Sequence, residues 1–236
     1  MSVENHCDRC LSPSRDEVQL PKSTSQATSR KRLSRADWLE AANKLFVRGG
    51  VTEVKIDKLA DRMKVTRGSF YWHFRDRQDL LDALLAQWVA RNMDESAALR
   101  AGPGGHAVPF EHLLQLWLTQ DASVPAYDIA VRGWARRSRA VARTVLDVDL
   151  AWIDVLDDAL RSAGYGPPES TVRARIFYFH QIGYARFHVS AQEEFAQRIA
   201  WASLYYKAFI GWDPDPGFVA RLAKPARKRR KAEPPA

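Results

Sequence analysis

Apolar side chains recur every three to four residues along most of this chain, and strict alternation with polar residues is absent. Trp38, Leu39, Ala42, Leu45 and Phe46 share one face of a helix that Ser34 can cap and Gly49-Gly50 ends. Ile56, Leu59, Ala60 and Met63 mark a short second helix. After Lys64-Val65, Thr66 can cap a third, which carries Phe70, Tyr71 and Phe74. Asp76 caps a fourth, with Leu80, Leu81, Leu84, Leu85, Trp88 and Val89 as its apolar stripe. That stripe fades before Gly102-Pro103-Gly104-Gly105, the clearest linker in the chain. Further helical segments are expected from Phe110 to Leu118, Tyr127 to Trp134, about Ser138 to Ser162, Thr171 to Val189 and Glu193 to Ile210. Gly164-Tyr165-Gly166-Pro167-Pro168 separates two of them. The pattern predicts an all-α protein of about nine helices, with β-branched runs rare and no internal repeat.

The two ends lack this periodicity. Residues 1–31 read as a disordered tail and 213–236 as a basic disordered tail. Between them, 32–92 forms a small unit and 93–212 a larger helical body. The formal charge of +8 over 236 residues is unevenly placed. Residues 34–80 hold 10 basic and 7 acidic side chains, 81–220 hold 13 and 16, and 221–236 hold 7 and 1. A mildly acidic body thus lies between a basic N-terminal region and a strongly basic end, which points to an anion-binding head on a body with another task. No apolar run approaches the roughly 20 residues of a membrane span, and the N-terminus has no apolar signal segment. The expectation is a cytoplasmic protein without disulfides.

Residues 55–74 carry the most specific pattern. A helix of eight residues, the turn Met63-Lys64-Val65-Thr66 and a short helix make a helix-turn-helix, whose second helix lies in the DNA major groove. Phe70 and Phe74 face the small core. Arg67, Ser69, Trp72 and His73 lie off that face, where Arg67 can grip guanine bidentately and Ser69 can bond a base or a phosphate. Phe46, Gly50, Ile56, Leu59-Ala60, the run Val65 to Phe74 and Arg77-Gln78-Asp79-Leu80-Leu81 together resemble the DNA-binding domain of the TetR/AcrR family of transcriptional regulators. The likeness spans about Arg32 to Gln87.

That resemblance implies a recognition helix at Arg67–Phe74, Gly68 included. It implies a phosphate contact at Thr66, base or backbone contacts from Arg67, Ser69, Tyr71, Trp72 and His73, and further contacts from Lys55 and Arg77. One departure is that the family's usual turn glycine is Lys64 here. The resemblance further implies a ligand cavity in the body, which Trp117, Tyr127, Trp134, Trp152, Phe177 and His180 could line; core packing is the alternative for each. It implies a homodimer through the last two long helices, with Phe179, Gly183, Phe187, Ile199, Ala202 and Tyr206 at the interface; internal packing would fit the same pattern. The function implied is a ligand-responsive repressor that binds a palindromic operator as a dimer, with a small, partly apolar effector and no cofactor or enzymatic activity.

Other chemistry is weaker. His6, Cys7 and Cys10 supply too few ligands for zinc. Asp154, Asp157 and Asp158 would suit an all-α magnesium-dependent lyase, but that reading leaves the helix-turn-helix unexplained, and a solvated helix face accounts for them. A non-specific DNA-coating protein fits the overall charge but not the acidic body. Arg132 could anchor an anion or pair with an acid such as Asp149, and the pair is the expectation. The cluster from Lys224 to Lys231 could add general attraction to DNA or serve solubility.

Overall fold

Ser34 opens the first helix, α1 (Arg35–Gly49), through a reciprocal cap: its hydroxyl accepts the Asp37 N–H at 3.3 Å, and the Asp37 carboxylate accepts the Ser34 N–H at 2.7 Å. In the computed structural model, residues 33–101, 110–112, 114–115 and 123–222 are described. Trp38, Ala42 and Phe46 bury the inner stripe of α1. Gly50 ends it at φ 73°, a left-handed conformation that glycine adopts without penalty. A single turn at Val51–Glu53 leads to α2 (Ile56–Met63) and then α3 (Arg67–Tyr71). Asp76 caps α4 (Arg77–Ala101) by accepting the Asp79 N–H at 2.9 Å.

The body continues with α5 (Ser123–Ala135), α6 (Arg139–Ser162), α7 (Glu169–Arg186), α8 (Phe195–Ile210) and α9 (Phe218–Leu222). Residues 110–112 and 114–115 are also helical, and no strand occurs among the described residues. The all-α expectation therefore holds. The linker 102–105, Trp117, residues 1–31 and the basic run from Lys224 lie outside the described residues.

Hydrogen bonds fix how the long helices run. Asn92 on α4 accepts the Trp152 indole N–H of α6 at 3.2 Å, and Arg100 on α4 reaches Asp158 of α6 at 3.5 Å. Both numbers rise together, so α4 and α6 are parallel. Tyr178 of α7 donates to Asp149 at 2.9 Å and Thr171 to Asp157 at 3.1 Å. Here one number falls as the other rises, so α6 and α7 form an antiparallel pair.

The head joins the body through Phe46. Its ring meets Tyr127 and Trp134 of α5 edge to face, at centroid distances of 5.8 and 6.1 Å. The Tyr127 hydroxyl donates to the Leu84 carbonyl in α4 at 2.6 Å, and burial pushes its pKa up to about 12. One apolar core runs unbroken from Trp38 through this joint to Leu222.

One boundary is corrected. Residues 213–222 are not part of a disordered tail: α9 buries Phe218 and Leu222, and Phe218 packs on Tyr206 at 4.9 Å. Arg221 ties α9 down by binding Glu111 and Asp215.

Candidate nucleic-acid interface

Three aromatic rings set the position of α3. Phe70 stacks on Phe74 at 5.5 Å and meets Trp38 edge-on at 5.4 Å, all three being buried. The turn before α3 runs through Lys64 at φ 56° and ψ 44°, where the Val65 N–H bonds back to the Ala60 carbonyl at 3.0 Å. The lysine thus takes the left-handed conformation that the turn requires, at a cost of about 1 kcal/mol relative to glycine. Thr66 occupies the N-cap position, but its hydroxyl makes no capping bond. That part of the expectation is corrected: Thr66 begins α3 through its extended backbone, and its exposed hydroxyl stays available outward.

α3 itself is only five residues long, with Trp72 and His73 in the turn that follows it. Arg67, Gly68, Tyr71 and Trp72 are exposed, while Ser69 and His73 are half-buried. Trp72 has 87% of its surface in solvent, an unusual position for so large an apolar ring. Gly68 is not required by internal crowding, since a Cβ there would meet only the Thr66 hydroxyl at 3.7 Å. An exposed helical glycine costs about 1 kcal/mol against alanine, so this one leaves the outer surface open to close approach by a partner. Arg67 pairs with Asp57 of α2 across a well-exposed gap.

Lys55 is exposed at the start of α2. Arg77 is placed differently. Its guanidinium bridges two loop carbonyls, Nε to Val54 at 2.6 Å and a terminal nitrogen to Val51 at 2.5 Å. The side chain therefore fastens the start of α4 to the segment that positions Lys55. Arg75, which the sequence reading passed over, is 87% exposed at the entry to α4 and lies 3.7 Å from Asp79. Its place between Phe74 and the Asp76 cap was the available signal.

The aromatics expected to line a cavity fall into three groups, with Phe177 and His180 sharing Phe209. Tyr127 and Trp134 belong to the joint with Phe46. Trp152 holds Asn92. Phe177 packs between Phe110 and Phe209 at 5.0 and 4.9 Å. His180 is half-buried beside Tyr205 and Phe209, and burial lowers its pKa.

Arg132 of α5 makes the expected pair with Asp149. Its guanidinium donates to both Asp149 oxygens, at 3.0 and 2.7 Å, and to Asp128 at 2.7 Å. Burial opposes the arginine's charge, but the bonds to Asp149 and the charge of Asp128 outweigh it and raise its pKa. Burial and the charge of Asp149 push the Tyr178 hydroxyl well up. Of the acids considered for magnesium, Asp157 is held by Arg161 and Thr171, and Asp158 by Arg100. No group of three metal-binding side chains occurs among the described residues.

The residues expected to carry a second subunit differ in exposure. Phe179 and Phe187 are exposed, and a Cβ on Gly183 would meet nothing within 4 Å. Ile199 is half-buried. Ala202 and Tyr206 are buried inside the subunit, because α9 covers that side of α8. The exposed apolar side chains of α8 are instead Phe195, Trp201 and Leu204.

Residues 39–84 match the family model described as bacterial regulatory proteins, tetR family. The chain is 42% identical over 48 residues to the HTH-type transcriptional regulator SrpR of Pseudomonas putida, covering 20% of this chain and 22% of that protein. It is 34% identical over 65 residues to the tetracycline repressor protein class D of Escherichia coli, covering 28% and 30%. The chain therefore spans under a third of the length of these curated relatives. A solved structure of the transcriptional regulator FadR from Bacillus subtilis, in complex with stearoyl-CoA, superposes with a TM-score of 0.58 at 12% identity, over 75% of this chain and 98% of that one. That likeness is one of fold.

Proposed function

We propose that this chain, whose residues 39–84 match the family model of the tetR family of bacterial regulatory proteins, is a ligand-responsive transcriptional repressor that binds a palindromic operator as a homodimer. The observation that carries this reading is the rigidly backed α3, with Arg67, Gly68, Tyr71 and Trp72 all turned outward. Each subunit places α3 in a major groove, and two-fold symmetry sets half-sites about 34–36 Å apart or a multiple of that.

Arg67 reads a guanine after releasing Asp57. That exchange is downhill, because an exposed ion pair is worth about 0–1 kcal/mol, whereas a bidentate arginine–guanine contact discriminates by about 1–3 kcal/mol. Trp72 lays its ring against thymine methyl groups or sugar edges. Thr66, Lys55 and Tyr71 bond phosphates, with Ser69 and His73 completing the contact. Arg77 is a positioning residue that holds the Lys55 segment in place.

The body, residues 93–222 with α9 included, carries the effector site and the dimer contact. Val172, Ile176 and Phe179 make an exposed apolar stripe on α7, Phe187 is exposed just past its end, and Phe195 and Leu204 are exposed on different sides of α8. A stripe of this kind fits a four-helix contact with a second copy. The effector is a small, partly apolar molecule that binds between helices of the body, and the chain has no enzymatic role.

The test is selection of bound duplexes from a random pool, followed by gel shift with Arg67→Ala and Trp72→Ala. The expected result is a palindromic consensus whose binding both variants lose while remaining folded dimers. Unchanged affinity of both variants would overturn the assignment.

A further inference from the structure

The turn between α5 and α6 carries a charge pattern that the reading head does not explain. Arg136 and Arg137 form the turn, and Arg139 and Arg143 follow in the first two turns of α6. All four are exposed, and none has an acidic partner among the described residues. The first turn of α6 contains no acid. Asp147, Asp154, Asp157 and Asp158 all come later in the helix. This order opposes the helix dipole, whose positive end is the N-terminus and which favours acids there and bases at the far end. Four cations stacked on a positive helix end raise a local potential that an outside anion can relieve.

The position of this cluster indicates which anion. α4 and α6 run parallel, with Asn92 level with Trp152. Arg139 stands thirteen residues before Trp152, about 20 Å down the helix. The same distance down α4 from Asn92 reaches Asp79, in the first turn after α3. A second contact agrees: Trp134, two residues before Arg136, packs on Phe46 of α1 in the head. The arginine cluster therefore lies at the same end of the molecule as α3 and Lys55, although the body supplies it.

We propose that Arg136, Arg137, Arg139 and Arg143 form a second DNA contact, gripping the phosphate backbone of the duplex that flanks the sequence read by α3. The contact is non-specific in sequence and strengthens binding only where flanking DNA is present. It rests on the proposed operator-binding function, and the two can fail separately.

The test uses the full-length protein and two duplexes: the selected palindrome alone, and the same palindrome with about 20 base pairs added on each side. A variant with all four arginines changed to glutamine is compared with wild type by fluorescence anisotropy across a potassium chloride series. On the long duplex, the variant should bind on the order of tenfold more weakly at 0.1 M salt. Its log–log salt slope should be flatter by about 6, as expected for losing three to four phosphate contacts in each subunit of the dimer at roughly 0.9 each. On the short duplex the two proteins should bind alike. Melting temperature should hold or rise in the variant, since positive charge leaves a positive helix end. The double variant Arg139→Gln/Arg143→Gln, expected to flatten the slope by about half as much, serves if the fourfold one misfolds.

Equal affinity and slope for variant and wild type on the long duplex overturn the proposal. Equal losses on both duplexes also overturn it, because they indicate a general field and not a flanking contact. Arg67→Ala separates the levels: if it leaves sequence preference intact, the operator reading fails, whatever the flanks show.

Discussion

Arg132 offers the sharpest test of how the body is held together. Its guanidinium joins α5 to α6 through both oxygens of Asp149, and Asp149 is only 8% exposed. Arg132→Met keeps the length of the stem and removes the charge. It leaves a buried carboxylate with one remaining donor, the Tyr178 hydroxyl at 2.9 Å. Breaking a buried pair from one side costs about 3–5 kcal/mol. The surviving tyrosine bond, and the partial exposure of Asp128 at 25%, put this case near 3 kcal/mol. For a chain of this size, 1 kcal/mol moves the melting temperature by about 2–4 °C, so the expected fall is roughly 6–12 °C by scanning calorimetry. The compensated variant, Arg132→Met with Asp149→Leu and Tyr178→Phe, removes the two buried polar groups that would be stranded and leaves Asp128, which is partly exposed. It should recover most of that loss, because a well-packed apolar substitute for a buried ion pair is often neutral or stabilising. A single variant within about 2 °C of wild type refutes the reasoning, as does a triple variant no more stable than the single one. The first result would mean that the cluster is hydrated, and the second that packing and not charge decides the site.

Three further outcomes follow from individual contacts. Arg77→Ala loses both bonds to the Val51 and Val54 carbonyls and should cost about 2 kcal/mol in urea unfolding, with weaker operator binding; Arg77→Lys should not restore it, since one ammonium cannot bridge both carbonyls, and full rescue would refute the clamp. His180, held by burial below its ordinary value of 6.5, stays neutral in the fold where the unfolded chain takes a proton. Its contribution is complete above about pH 6.5 and is lost as pH falls below that, so His180→Phe should flatten the decline in melting temperature from pH 7 to pH 5, and an unaltered profile would count against it. Phe218→Ala should cost about 3–5 kcal/mol, measured by denaturant unfolding, because Phe218 is fully buried on Tyr206; a change near zero would show that α9 does not complete the core.

What could be read from sequence depended on whether a feature was local. α2 falls at Ile56–Met63 in both readings, because its start, its apolar spacing and its turn all lie within ten residues. Lys64, which stands where the resembling family usually has a turn glycine, takes a positive φ. Apart from the Thr66 hydroxyl, which makes no capping bond, the differences arise where a distant segment decides. Tyr206 and Ala202 sit on a helix with apolar residues on several sides. Only the return of α9 selects which side is inside. α9 itself is five residues long between Pro216 and Lys224, too short to show a period and embedded in tail-like composition. The expectation that Arg77 contacts DNA rests only on the family resemblance, which carries no information on local side-chain partners. The carbonyls that take it come from 23 and 26 residues earlier. The aromatics of the body fit either a cavity lining or core packing from sequence, because spacing along separate helices carries no information on whether they converge.

The joint around Phe46 gives the proposed regulator a mechanical consequence. α4 is continuous from Arg77 to Ala101, and Tyr127 grips it at Leu84. That point lies about 10 Å from the DNA-facing end of α4 and about 25 Å from the other. With the grip as pivot, a rotation of about 5° shifts the far end by roughly 2 Å and the near end by roughly 1 Å. Each copy in a dimer contributes its own shift, so the separation of the two α3 helices changes by up to about 2 Å against a half-site spacing of about 34–36 Å. A ligand needs differential affinity for the two positions of α4 to produce that change. The long arm, where Asn92 and Arg100 meet α6, is therefore where small-molecule contacts have the largest leverage on DNA affinity. Packing at the pivot sets how rigidly that motion is passed on.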